Sequence, residues 1–203
     1  MVLHLLFGGL FPGPRSERLS DLAAIGEMVT ASALLLYPNR HAPTDASRKV
    51  TLIGHEASDR RRQLESRLAK AGVHVTDPRL VCEAASEMLE VMRLIGRVIR
   101  CREWLGLADA PEALELEGTA GLGAQHVAEG ARELAGMGTL TWVDGGASMR
   151  IRAEELYARG VARAFESADA LDVLRQKTLY DALLGVVIGS DRALEALRDA
   201  SIE

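Results

Sequence analysis

One histidine of this chain stands in a setting that could support acid–base chemistry. His55 follows directly on the apolar run 49–54, with Glu56 beside it and Asp59 four residues further on. An imidazole exchanges its proton near neutral pH, and a neighbouring carboxylate can orient it for proton transfer. His55 and Glu56 are therefore the candidate catalytic residues. The alternative is a solvated histidine at an ordinary helix start.

Side chains that can bind anions follow other apolar runs of the chain. Arginine holds a carboxylate or phosphate through two parallel hydrogen bonds, and asparagine and histidine can add further donors. The candidate ligand-binding residues are Arg15, Asn39, Arg40, His41 and Asp59. Together with His55 they predict a site for a small anionic metabolite or nucleotide.

A glycine-rich stretch, 118–144, carries a second pattern that could bind a ligand. G-T-A-G-L-G opens a helical segment, and a later apolar run ends at the acidic Asp144. The arrangement resembles the dinucleotide-binding fingerprint of the short-chain and extended short-chain dehydrogenases. It implies an NAD(P)-binding oxidoreductase-like protein with phosphates on Gly118, Gly121 and Gly123, and with a ribose hydroxyl on the closing aspartate. The alternative is a glycine-rich loop before an ordinary helix.

The element that organises the chain is a long amphipathic helix predicted over 76–105. Asp77 is a favourable N-cap, and Pro78 fits the first helical position. One side carries nine apolar residues at helical spacing: Val81, Ala84, Ala85, Met88, Val91, Met92, Ile95, Val98 and Ile99. This stripe is broader than a coiled-coil seam, so the helix should pack on several neighbours. We expect it to separate two halves, with the site elsewhere; a helix shared across a dimer interface is the alternative.

The candidate residues are expected to come together at the edge of a small sheet. Short apolar runs predict buried strands at 2–7, 32–37, 49–54 and 73–76. A helix over 60–71 joins the last two and makes a β–α–β unit with parallel strands. Whether the strands 32–37 and 49–54 are parallel stays open. Ligands in open α/β sheets bind beyond the carboxyl ends of the strands, which is where His55 and the arginines would lie.

The second half is predicted to be mostly helical. Helices are expected at about 124–135, 153–166, 168–188 and 191–200, with a hairpin over 139–152 that turns at Gly145 and Gly146. The predicted fold class is thus α/β (or α+β). It consists of a small, partly parallel sheet in residues 1–76, a long central helix and a helical half with one hairpin. The parts 1–105 and 106–203 are expected to form one compact unit.

Charge divides the chain into two unlike halves. Residues 1–102 hold 15 basic and 11 acidic side chains, whereas residues 103–203 hold 9 and 18. Their attraction predicts either contacts within one chain or a homo-oligomer, so a non-catalytic oligomeric assembly or adaptor subunit is the alternative function. The acidic second half argues against a nucleic-acid partner.

Cysteine usage and hydropathy predict a cytoplasmic protein with no membrane partner. Cys82 and Cys101 lie on one predicted helix roughly 28 Å apart, too far to form a disulfide. No secretion signal, membrane span or Cys/His metal spacing is apparent. Three lysines beside 21 arginines are typical of a GC-rich, bacterial-type genome. The cofactor, if the protein has one, is unknown from the sequence.

Overall fold

The computed structural model describes residues 19–37, 43–70, 77–106, 110–137 and 145–201, and these residues are almost entirely helical. A 3-10 turn, Leu34–Leu36, follows the first helix. The six α-helices in the described ranges are α1 (Ser20–Ala33), α2 (Pro43–Lys70), α3 (Pro78–Leu105), α4 (Pro111–Met137), α5 (Gly145–Ala164) and α6 (Ala170–Asp199).

Each helix runs antiparallel to the one before it. Contacts between successive helices join an early part of one to a late part of the other, as antiparallel packing requires. These contacts are Asp21 with Arg67, Val50 with Gly96, Arg102 with Glu117, Glu112 with Arg163, and Arg150 with Asp191. The described chain is therefore an up-and-down helical bundle.

Four of the helices surround the centre of the bundle. α3 packs on α6, α6 on α4, α4 on α1 and α1 on α3. α2 covers the side formed by α1 and α3, and α5 covers the opposite side, formed by α4 and α6. Large side chains at the centre, such as Met88, Ile95, Leu134 and Leu183, are fully buried. The core thus lies between four helices, and two edge helices flank it.

The predicted α/β (or α+β) fold is wrong, because the described residues contain no strand. The run 32–37 ends α1 and forms the 3-10 turn, 49–54 lies inside α2, and 148–152 lies inside α5. The runs 2–7 and 73–76 and the first hairpin strand, 139–144, fall outside the described residues. A short apolar run alone does not distinguish a strand from a buried segment of helix, and the described runs form helical segments.

The burial pattern of α2 explains this outcome. Ala46, Val50, Ala57, Leu64 and Leu68 are its buried residues, at spacings of four and seven. Such spacing places them on one face of a single helix that packs on α1 and α3. The predicted helix 60–71 is the second half of this longer helix.

The predicted central helix is confirmed as α3. The Asp77 side chain accepts a hydrogen bond from the Arg79 backbone amide at 2.9 Å, and Pro78 occupies the first turn. Gly106 ends the helix in the left-handed conformation, φ 59°, and its amide donates to the Arg102 carbonyl at 3.2 Å. All nine residues of the predicted apolar stripe are buried.

Ion pairs fix the helices to one another. The carboxylate of Asp21 is buried between α1 and α2, where Arg60 and Arg67 lie 3.3 and 3.0 Å away. Glu117, also buried, pairs with Arg102 across α3 and α4. Removing one member of a buried pair leaves an uncompensated charge, so these contacts specify which helix packs on which. In the described part of the chain, no helix is long and apolar enough to cross a membrane.

Candidate functional site

A groove with a volume of about 420 Å³ runs between α2 and α3. Its apolar wall includes the buried side chains Val50 and Met92 and the half-buried Leu89. Seven polar side chains supply its chemistry: Thr51, His55, Ser58, Ser86, Glu90, Arg93 and Arg100. The groove therefore combines apolar surface with charged and hydroxyl groups, as small-molecule sites do.

Two glycines create the space between the helices. A Cβ atom added at Gly54 would meet no described atom within 4 Å. At Gly96 the same atom would lie 3.2 Å from Nη1 of Arg100 and 3.4 Å from Cγ1 of Val50. The missing side chain at Gly54 thus leaves the groove open, and the one missing at Gly96 lets the guanidinium of Arg100 fold back over the helix.

The two arginines of the groove differ in their partners. Arg93 donates from Nε and Nη2 to the Glu90 carboxylate at 2.6 and 2.5 Å. These hydrogen bonds hold the pKa of Glu90 below its ordinary value and raise the pKa of Arg93. Arg100 forms no ion pair with any of the described residues. Arg100 is therefore the groove cation that is available to an anion.

The hydroxyl groups of the groove present acceptor oxygens. Ser58 Oγ donates to the Gly54 carbonyl at 2.8 Å, and Ser86 Oγ donates to the Cys82 carbonyl at 2.7 Å. Because each hydroxyl has spent its one hydrogen on the backbone, its lone pairs remain to accept. A ligand that fits these groups would carry an anionic group for the arginine and a hydroxyl or amine for the serines.

The structure brings one of the predicted site residues into the groove. His55 lines it and is exposed, but Glu56 and Asp59 do not line it, and Arg62 pairs with Asp59 on the outer side of α2. Glu56 follows the groove residues Gly54 and His55, and one further step of about 100° along the helix turns its side chain away from the groove. Arg15, Asn39, Arg40 and His41 lie outside the described residues.

Most of the groove comes from the helix that we expected to lie outside the site. Seven of the twelve lining residues belong to α3, so this expectation is wrong for the groove. The overlooked signal was a helical face at steps of three and four, beside the apolar stripe: Ser86, Leu89, Arg93, Gly96 and Arg100. A face with that spacing and composition marks a partly covered helix surface.

The glycine-rich fingerprint does not form a phosphate site. Gly118, Gly121 and Gly123 lie within α4, which begins seven residues before the first of them, and no strand precedes it in the described chain. Amides inside a helix donate to its own carbonyl groups and are not available to phosphate. The predicted nucleotide binding conflicts with this all-helical structure, and Asp144 lies outside the described residues.

Close helix packing accounts for two of these glycines. A Cβ at Gly121 would lie 2.6 Å from the Tyr37 hydroxyl, and one at Gly123 would lie 3.1 Å from Cβ of Ser190. Each glycine therefore admits a side chain from a neighbouring element. The same residue type that suggested a phosphate loop instead allows α4 to approach α6 and the end of α1.

The described residues offer neither a metal-binding cluster nor an activated thiol. Within the described ranges, no group of three or more His, Cys, Asp or Glu side chains could hold a metal ion. Cys82 and Cys101 are half-buried free thiols, and burial raises the pKa of both. A raised pKa lowers the thiolate fraction at neutral pH, which is the reactive form.

Comparison with known proteins assigns no family. No protein-family model matches the chain, and no curated protein matches it. A functional inference therefore depends on the groove and on the surface of the bundle.

Proposed function

We propose that the protein binds a small organic anion with an apolar portion in the groove between α2 and α3. The observation that carries this proposal is the position of Arg100. Its guanidinium lies over Gly96 beside an apolar wall, and no carboxylate among the described residues pairs with it. A guanidinium in such surroundings is a strong site for a carboxylate or a phosphate monoester.

The size and lining of the groove support the same class of ligand. Small-molecule sites occupy roughly 300–1,000 Å³, and the volume here, about 420 Å³, falls in that range. Val50, Leu89 and Met92 suit an apolar body of a few carbon atoms. The open side of the groove is exposed at His55, which offers a second polar contact to an anion.

The groove supports binding more directly than catalysis. Glu90 is the carboxylate that lines it, and the two hydrogen bonds from Arg93 hold that group. An imidazole acting as a general base is usually oriented by a partner, and no hydrogen bond joins His55 to a described residue. Acid–base chemistry by His55 with Glu56 stays a prediction.

Fluorescence titration with anilinonaphthalene sulfonate tests the proposal, because this probe joins one anionic group to an apolar body. The wild-type protein should bind it saturably. Arg100→Gln should raise the apparent Kd by about tenfold, because a charge-assisted hydrogen bond is lost. Arg97→Gln is the matched control, an exposed arginine of the same helix that does not line the groove. Equal loss in both variants would mean that general charge attraction, and not the groove, holds the probe.

Displacement then identifies the natural ligand class. Carboxylated and phosphorylated metabolites should compete with the probe and raise the melting temperature of the wild-type protein, as any ligand specific for the folded state does. The rise should shrink in Arg100→Gln. A flat response across a broad panel of organic anions would contradict the proposal.

The alternative function, a non-catalytic oligomeric assembly or adaptor subunit, is favoured by a different observation. Exposed apolar side chains gather where α5 meets α6, on the far side of the bundle from the groove. Such a surface favours contact with another macromolecule.

A further inference from the structure

The turn between α5 and α6 carries an apolar surface on the outside of the bundle. Phe165 is 67% exposed, and Leu171 and Leu174, on the other side of the turn, are 53% and 61% exposed. We name these three residues the corner patch. Leu171 and Leu174 are three residues apart on one helix, so both point to the same side of α6.

The first part of α6 has no core of its own. In residues 170–178 no side chain is buried, and the buried residues of this helix begin at Leu179. Helices in water depend mainly on the burial of an apolar face. More than two turns of α6 therefore present leucines without burying them within the described protomer.

Hydrogen bonds order the backbone of the turn that carries the corner patch. The Asp169 side chain accepts a hydrogen bond from the Leu171 amide at 2.9 Å, and Ser167 Oγ accepts one from the Asp169 amide at 3.3 Å. These bonds cap α6 and order the turn from Phe165 onward. A preordered surface loses little conformational entropy on binding, which favours its use as an interface.

The charges beside the corner patch are complementary to those of a second copy of the same patch. Asp172 and Arg175 flank Leu174, and neither forms an ion pair with a described residue. Two copies of this segment packed antiparallel about a twofold axis would bring Asp172 of each copy to Arg175 of the other. A twofold contact repeats every interaction, so the two copies would form two identical ion pairs between Asp172 and Arg175.

We propose that two copies of this protein associate through the corner patch, with α6 packed on α6 about a twofold axis. A second copy is the partner that fits, because the patch has an apolar centre with an acid and a base beside it. In an antiparallel pair each of these charges meets the opposite charge of the other copy. The patch is small compared with standard interfaces, so the dimer forms reversibly and depends on concentration.

Sedimentation velocity over a dilution series, with Leu174→Glu and Leu52→Glu as paired variants, tests the proposal. The wild-type protein should shift from monomer to dimer as concentration rises. Leu174→Glu should weaken association about tenfold or more, because it places a charge in the apolar centre. Leu52→Glu is the control, since Leu52 is 60% exposed, as Leu174 is, but lies on α2. Circular dichroism should show both variants folded, because neither side chain is in the core.

A charge exchange makes the test specific to two identical copies. Asp172→Arg alone should weaken the dimer, because it sets a cation against Arg175 of the other copy in both of the symmetric contacts. The double variant, Asp172→Arg with Arg175→Asp, should restore it. A protein that stays monomeric throughout, a dimer that survives Leu174→Glu, or a double variant that does not regain association overturns the proposal.

Discussion

Gly160, between α5 and α6, and Gly54, between α2 and α3, differ in what occupies the space beside them. At Gly160 an added Cβ would lie 2.3 Å from Cζ of Tyr180, whose ring is buried against α5. At Gly54 an added Cβ would meet no described atom within 4 Å. One glycine is a notch for an aromatic ring, whereas the other opens into a groove.

The difference shows how this bundle can combine a tight core with an open groove. A glycine that receives a side chain shortens the distance between helices and stabilises their packing. A glycine that receives nothing leaves space that a ligand can occupy, at the cost of helix propensity. Gly160 is therefore a structural residue, whereas Gly54, which lines the groove, belongs to the proposed site.

The largest effect is expected from Gly160→Ala. The new methyl group would overlap a buried tyrosine ring, so the free energy of unfolding should fall by about 1–3 kcal/mol. Urea denaturation measures the change. Gly118→Ala is the control, because a Cβ there meets no described atom within 4 Å, and it should stabilise α4 by about 0.5–1 kcal/mol. If Gly160→Ala were as stable as Gly118→Ala, Tyr180 would not occupy the notch.

Gly54→Ala should separate stability from binding. Alanine favours the helix over glycine by about 0.5–1 kcal/mol, and no described atom obstructs its methyl group. The methyl group enters the groove, so affinity for anilinonaphthalene sulfonate should fall severalfold while the free energy of unfolding rises. Urea denaturation and the fluorescence titration measure the two quantities on the same sample.

The control for Gly54→Ala is again Gly118→Ala, which should gain stability and keep full affinity because it lies outside the groove. Unchanged affinity in Gly54→Ala would show that the probe binds elsewhere. Lower stability would show that α2 does not continue as a regular helix through this position.

Sequence patterns predicted α3 correctly because every local signal agreed. Asp77 and Pro78 specify its start, and its apolar stripe keeps helical spacing from Val81 to Ile99. In α2 the signals conflicted, since the run 49–54 is apolar and ends in glycine, as a buried strand would. The buried residues of α2 are spread over 23 positions, from Ala46 to Leu68, and a short window misses their common face.

The candidate site was partly predictable for a related reason. His55 was selected for its chemistry, and it does line the groove. Adjacency in sequence predicts Glu56 as its partner, which holds at a strand end but not on a helix. Asp59 lies one helical turn after His55, but it pairs with Arg62 and does not line the groove. The sequence does not point to Arg100, because its position over Gly96 depends on the packing of α2 against α3, which periodicity within one helix does not reveal.

The smallest expected effect concerns the two thiols, which lie near opposite ends of α3. Burial raises the pKa of both, so both should react more slowly with iodoacetamide in the native protein than in urea, because less thiolate is present and access is reduced. Arg97 and Arg100 oppose this rise at Cys101, whereas Glu65 adds to it at Cys82.

An anion bound at Arg100 offsets part of that positive charge, so it should raise the pKa of Cys101 further and slow its alkylation. Timed labelling followed by peptide mass spectrometry resolves the two sites. Saturating anilinonaphthalene sulfonate should slow Cys101 and leave Cys82 unchanged; an equal change at both would indicate a general effect on the bundle and not occupation of the groove beside Arg100.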